Sequence, residues 1–295
     1  MIAARPRGGA RASGAVLAAL AGLSCLLAPV RDSRAQDMFT VANGYSVPAD
    51  SLIPAGAMGA SIRRGRAIML NARDSLPGHA GNRLTCTNCH RESGTLASSG
   101  PWVGSFASFP QYNARAGRVI RMEDRVNECL RRSLNGKPLA TDGRDMNDIV
   151  AYMAFLSTGV PHGPRAPWLG YKRLTPRKGD VAAGRLVYAE TCTRCHGKIG
   201  EGTGTVPPLW GGQSFAIGAG MARIQTAAAF IRWNMPFDRP GLLTDQQAYD
   251  VAAFVLSHRR PDTPFKERDW PNGDPPQDAA YRTLASRTRA GAIAK

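Results

Sequence analysis

Cys86, Cys89 and His90 in the stretch CTNCH, and Cys192, Cys195 and His196 in CTRCH, repeat one chemical pattern. Two cysteines separated by two residues and followed directly by a histidine are the attachment signature of c-type haem. The thiols add across the vinyl groups, and the adjacent imidazole becomes the proximal iron ligand. A thioredoxin-like redox pair would need no histidine, and a zinc site would need four ligands where each stretch brings three. The two motifs therefore predict two covalently bound haem c groups, with His90 and His196 on iron.

Cys129, in RVNECLRRS, has no partner of this kind. Positions 122, 125, 129 and 133 fall on one helical face and carry Met122, Arg125, Cys129 and Ser133, while Val126, Leu130 and Leu134 form the adjacent apolar stripe. Two readings stay open. Free cysteine is often a small buried hydrophobe, yet an unpaired thiol in an oxidising compartment is a liability unless it is buried or coordinated. Arg125, Arg131 and Arg132 favour the thiolate, the form that binds metal and attacks sulfur.

The elements that must position these residues also repeat. RRGRAIM (63–69) and AAGRLVY (182–188) are helical openings ahead of the two haem motifs, and DIVAYM (148–153) matches DVAAFV (250–255) as a closing amphipathic helix. Each half reads as helix, haem motif, irregular loop, closing helix, and little alternation argues for a sheet. Here the chain resembles class I cytochrome c domains used twice, which implies an all-α fold of two such domains in tandem, each around one haem. In WNMPF, Met235 followed by proline on an irregular segment is similar to the distal methionine of that class, with Met221 as its competitor. Pro207 and Pro208 resemble the loop whose carbonyl accepts from the proximal histidine, and Leu209 would cover a haem edge. Met122, Met146 and Met153 all sit in helical patterns where core packing is the default. The expected organisation is a signal peptide (1–35), an N-terminal extension (36–60), a first domain (61–160), a linker rich in Pro, Gly and basic residues (161–179), a second domain (180–260) and a charged tail (261–295), with AYRTLASRTRAGAIAK read as disordered. Trp168 and Tyr171 suggest that the linker packs against something.

The chain has 295 residues and a formal net charge of +16. Arg5, Arg7 and Arg11 precede an apolar run, and Ser33-Arg34-Ala35 offers a cleavage site, the anatomy of a secretory signal. The run is shorter than the about 20 residues needed to span a bilayer. Cleavage near Ala35 removes Cys25, delivers the chain to the periplasm without stable membrane insertion, and leaves it strongly basic. Such a surface attracts anions; no nucleic-acid motif is present, so small oxyanions or an acidic redox protein fit the charge.

CTNCH, FPQYNARAG (109–117), RVNECLRRSLNGKPL (125–139), CTRCHG and WNMPF together resemble the thiosulfate dehydrogenase family of dihaem cytochromes c over roughly residues 60–260. That resemblance implies oxidative coupling of two thiosulfates to tetrathionate, in a reaction that also runs backwards. It implies His90 and Cys129 on a catalytic first haem, and His196 and Met235 on a second haem that passes electrons to an acceptor such as a soluble cytochrome. Arg115, Arg125 and Ser133 match substrate-binding positions. Some family members carry a lysine before the second-haem methionine that replaces it as ligand; here that residue is Asn234, which implies constitutive His/Met ligation. The expected mechanism makes Cys129 a covalent carrier of one thiosulfate, with Arg115, Arg125 and Arg131 offsetting anion repulsion. Two rival readings are a sulfur-oxidation cytochrome subunit that loads thiosulfate onto a carrier protein, and a dihaem electron carrier with no catalysis of its own.

Overall fold

The computed structural model describes residues 40–41 and 45–287. The expected signal peptide, with Cys25 and the cleavage site at Ala35, lies outside the described residues. Six principal helices carry the described chain: α1 (Gly56–Leu70), α2 (Met122–Arg132), α3 (Arg144–Phe155), α4 (Val181–Thr191), α5 (Ile224–Asn234) and α6 (Asp245–Ser257). Extended structure is confined to two small antiparallel ribbons, Thr40–Val41 with Tyr45–Ser46 and Gln111–Asn113 with Arg118–Ile120. The all-α expectation holds.

The helix ends are chemically specified. Asp180 caps α4 by accepting from the Ala183 amide at 2.8 Å. Thr244 and Gln247 cap α6 reciprocally. In α2, Glu123 and Asp124 occupy the first turn and Arg131 and Arg132 the last, the charge order that complements the helix dipole.

Each half is built on one helix crossing. A Cβ on Gly65 of α1 would stand 1.8 Å from the Asp148 carbonyl of α3, and a Cβ on Gly184 of α4 would stand 1.9 Å from the Asp250 carbonyl of α6. Only glycine lets the backbones approach this closely. The carboxylates at both crossings are bound: Asp148 by Ser61 and Arg64, and Asp250 by the Asp180 amide and Gln246.

The first half's core gathers Ile62, Ile68, Leu76, Trp102, Met122, Leu130, Met146, Ile149, Tyr152 and Met153, and extends to Phe215, Ala219 and Ala222 from the second half. Met122, Met146 and Met153 are thus core side chains, as their helical pattern predicts. The halves are also stitched by backbone, with the Ala216 amide donating to the Arg132 carbonyl at 3.0 Å. Of 280–295, the stretch read as disordered, only 280–287 lie among the described residues, where Thr283 is buried, and the tail ahead of it is anchored. Arg132 holds Asp269 through two bonds of 2.7 and 2.8 Å, Arg223 holds Asp278, and Trp270 and Thr283 are buried. Aromatic and acidic residues scattered through a proline-bearing stretch anchor it one by one, a pattern without the periodicity that sequence reading detects.

Candidate active site

In each haem motif the histidine amide donates back to the carbonyl of the first cysteine, His90 to Cys86 and His196 to Cys192, both at 3.0 Å. This tight turn sets the thiols and imidazole of one motif side by side. Cys86, Cys89, Cys192 and Cys195 form no disulfide. Burial, with Cys129 adding to it, pushes the Cys86 and Cys89 thiols up to about 12, a neutral apolar setting suited to thioethers. Burial lowers His90 to about 4, so the imidazole is neutral. Its Nδ1–H donates to the Gly100 carbonyl at 2.5 Å, and His196 Nδ1–H to the Pro207 carbonyl at 3.1 Å. Nε2 of each ring then keeps its lone pair for iron, the arrangement expected of ligand histidines fixed by a second hydrogen bond. The donor sets fit haem c at both motifs.

Pro207 acts as the sequence reading expects. Its counterpart in the first half, Gly100, stands in no motif of its own, although GPWVG follows His90 at nearly the spacing at which PPLWG follows His196. Gly100 sits at φ +60°, and a Cβ there would stand 3.3 Å from both His90 Nδ1 and the Tyr171 ring.

Helix α2 presents Cys129 as its periodicity predicts, with Leu130 and Leu134 buried beneath. Arg125 Nη1 donates to Cys129 Sγ at 3.1 Å and lies 3.7 Å from Glu128. The Cys129 sulfur, more than any other group, holds this guanidinium above its ordinary value. Ser133 caps α2 one turn beyond Cys129, its amide on the Cys129 carbonyl and its own carbonyl held by Asn82. The other flanking arginines do not converge on the sulfur: Arg131 is exposed, and Arg132 is turned to Asp269. Sequence proximity places them at the thiol, but the helix directs them to other faces.

Arg115 donates to the Gly218 carbonyl at 2.7 Å and stacks 4.8 Å from the Trp270 ring. Burial pushes its guanidinium down, and the charged groups around it are Arg132, Asp269 and Glu128. It thus lies between the second half and the tail, with neither Cys129 nor Arg125 among its hydrogen-bond partners. The 161–179 segment supplies groups that sequence reading misses. Tyr171 donates to the Cys89 carbonyl at 3.2 Å and meets Phe230 of α5 edge-on at 5.8 Å. Arg165 feels the charges of Arg125 and Arg173, although burial does more to lower it. Trp168 donates to the Val103 carbonyl at 2.9 Å. The aromatic residues of the linker are the signal that it packs; nothing in their spacing says that they pack beside the site.

At the second motif, Met235 follows α5 in extended conformation, before a cis peptide bond to Pro236. Ile231, one turn earlier, packs against the same core of Tyr188, Val251 and Val255 as Cys192 and Leu209 do, and Arg194 inside the motif reaches Asp238 at 2.6 Å. Met221 instead packs between two core clusters, as core filler. Asn234 is fully buried with its amide committed to the Ser98 and Phe230 carbonyls.

Two helix crossings, each enclosing a haem motif with an oriented histidine, define a protein of two tandem cytochrome c domains carrying two covalently bound haems c. Comparison agrees: the family described as SoxA/TsdA, cytochrome c domain, matches residues 77–162, and cytochrome c oxidase, cbb3-type, subunit III matches residues 179–255. The chain is 40% identical over 263 residues to thiosulfate dehydrogenase of Psychrobacter arcticus, covering 83% of this chain and 80% of that one. It is 44% identical over 247 residues to thiosulfate dehydrogenase of Allochromatium vinosum, covering 80% and 91%. Among solved structures, thiosulfate dehydrogenase (TsdBA) from Marichromatium purpuratum superposes with a TM-score of 0.72 at 35% identity, covering 76% of this chain and 51% of that longer one. The chain belongs to the thiosulfate dehydrogenase family and is an oxidoreductase.

Proposed function

We propose that this protein couples two thiosulfates to tetrathionate, 2 S2O3(2−) → S4O6(2−) + 2 e−, with Cys129 as the covalent group. The observation that carries the reading is the 3.1 Å contact between Arg125 and the Cys129 sulfur. A guanidinium there sets positive charge and hydrogen-bond donors beside the sulfur, where an approaching sulfonate oxygen can accept from them.

The thiolate of Cys129 and the terminal sulfur of one thiosulfate form an S–S bond with loss of two electrons, leaving Cys–S–S–SO3(−). A second thiosulfate attacks the sulfane sulfur of that adduct, forms the central bond of tetrathionate and expels the Cys129 thiolate. Joining dianions requires charge compensation. Arg125 supplies it at the sulfur, with the Arg165 charge near it, Arg115 adds positive charge from its own segment, and the Ser133 hydroxyl is the donor for a sulfonate oxygen. The two haems, when bound, supply one-electron redox chemistry, so electrons leave singly to an external acceptor such as a small soluble cytochrome. Cys129 together with His90 would hold the iron of the first haem, and Met235 together with His196 that of the second, in this reading. Export to the periplasm belongs to it, and no helix among the described residues is long and apolar enough to cross a membrane.

Purified single chain mixed with thiosulfate and an oxidised one-electron acceptor should yield one tetrathionate per two thiosulfates consumed and two acceptors reduced. Acceptor reduction without tetrathionate would reject the reading.

A further inference from the structure

The segment around Met235 is held from both halves of the molecule, by the Arg194–Asp238 pair within its own half and by several groups of the first. Arg91, the residue after His90, donates through Nη1 to the Asn234 carbonyl at 3.3 Å, and its guanidinium carbon lies 4.2 Å from the centre of the Phe237 ring. Asn234 Nδ2 donates to the Ser98 carbonyl at 3.0 Å, and Ser98 Oγ reaches Asn234 Oδ1 at 3.4 Å. These contacts bracket Met235, with Asn234 on one side and Phe237 two residues on. The loop they come from is itself tied to the first motif: Ser99 Oγ donates to the Cys89 carbonyl at 2.9 Å, and the Gly100 carbonyl receives His90 Nδ1–H.

A methionine side chain has three rotatable bonds and a weakly basic sulfur, so its place on a metal is set by the backbone that presents it. At Met235 the amide bonds within its own helix, to the Ile231 carbonyl. The preceding residue is a fully buried amide with its side chain bonded across the boundary. Phe237 is 62% exposed, and that side is restrained by Arg91 over its ring and by the Arg194–Asp238 ion pair one residue on.

We propose that Arg91 and the 98–100 loop form a clamp by which the first domain positions Met235 on the second haem, so that the coordination and reduction potential of the second centre depend on the first domain. Arg91 is a positioning residue, acting through Asn234 and Phe237. The inference rests on the ligand assignment of Met235 made above. It also gives the pair of domains a reason to stay docked, because separating them would unclamp the distal ligand.

The test uses the full chain loaded with two haems and reads the long-wavelength iron–thioether absorption band and the potential of each centre. Arg91→Ala should weaken that band and lower the second centre's potential, because thioether ligation raises it, while the first centre's spectrum is unchanged. Arg91→Lys, which keeps the cation over Phe237, should recover part of both. Met235→Gly is run alongside and should lose the band entirely. A band lost in Met235→Gly but intact in Arg91→Ala, with wild-type potential, overturns the clamp alone; a band retained in Met235→Gly overturns the ligand assignment with it. Should Arg91→Ala fail to load both haems, Phe237→Leu changes an exposed ring and must still lower the second potential, and an unchanged value there rejects the proposal.

Discussion

Among the described residues Arg125 is the cation at hydrogen-bonding distance from the Cys129 sulfur, and on the proposed function most of the anion recognition falls to that guanidinium. Arg125→Ala should cost about 1.5–3 kcal/mol of productive thiosulfate binding, the range for losing a hydrogen bond to a charged group. That is on the order of a ten- to hundredfold fall in kcat/KM, with haem spectra unchanged. Arg287, exposed near the end of the described chain, is the control. Arg287→Ala should alter only the salt dependence of encounter, and equal losses in the two variants at fixed ionic strength would show that net charge, not a formed site, draws the substrate. Cys129, Arg125 and Ser133 are legible in sequence because one helix carries them at helical spacing. Arg115, Arg165 and Tyr171 reach the region through tertiary packing of loops. Their sequence positions say nothing of whether they face the thiol, the tail or each other.

The helix pairs are legible as amphipathic repeats, but the reason they cross where they do lies in two glycines whose significance spacing does not reveal. Gly65→Ala would drive a methyl group into the Asp148 carbonyl. It should cost about 1–3 kcal/mol by overpacking, seen as a lower Tm with the haem retained. At Gly212 an added Cβ would meet nothing within 4 Å, so alanine should be tolerated within about 0.5 kcal/mol. Equal melting of the two variants would show that the crossing is not tight. The same crossing has a pH signature. Burial alone would raise the Asp148 carboxyl, but hydrogen bonds from Ser61 and Arg64 outweigh it and hold it below its ordinary value. Because the folded pKa is depressed, the stability this carboxylate contributes is full above the unfolded value of about 3.9 and is lost as pH falls through the lower folded value. Asp148→Asn should therefore flatten the acid limb of the stability–pH curve, and an unchanged limb would mean that other carboxylates govern acid unfolding.

On the proposed function the whole molecule divides its labour: sulfur chemistry at one centre, electron exit at the other, and a docked interface between. The division is legible because two haem motifs stand in two repeated halves with one unpaired cysteine in the first half only. The docking is not legible. It depends on Phe215 and Ala219 entering the first core, on Arg91 reaching the Met235 segment, and on Asp269 and Trp270 anchoring the tail, contacts far apart in sequence and without period. The division of labour stands or falls with the cysteine. Thioether attachment needs only the two haem motifs, so Cys129→Gly should accumulate with both haems and with the second centre's spectrum and potential intact. The decisive measurement is tetrathionate formed from thiosulfate by that holoprotein under conditions in which the parent chain turns over. None above background is expected, and formation near the parent rate would contradict a covalent role for Cys129 and the mechanism built on it.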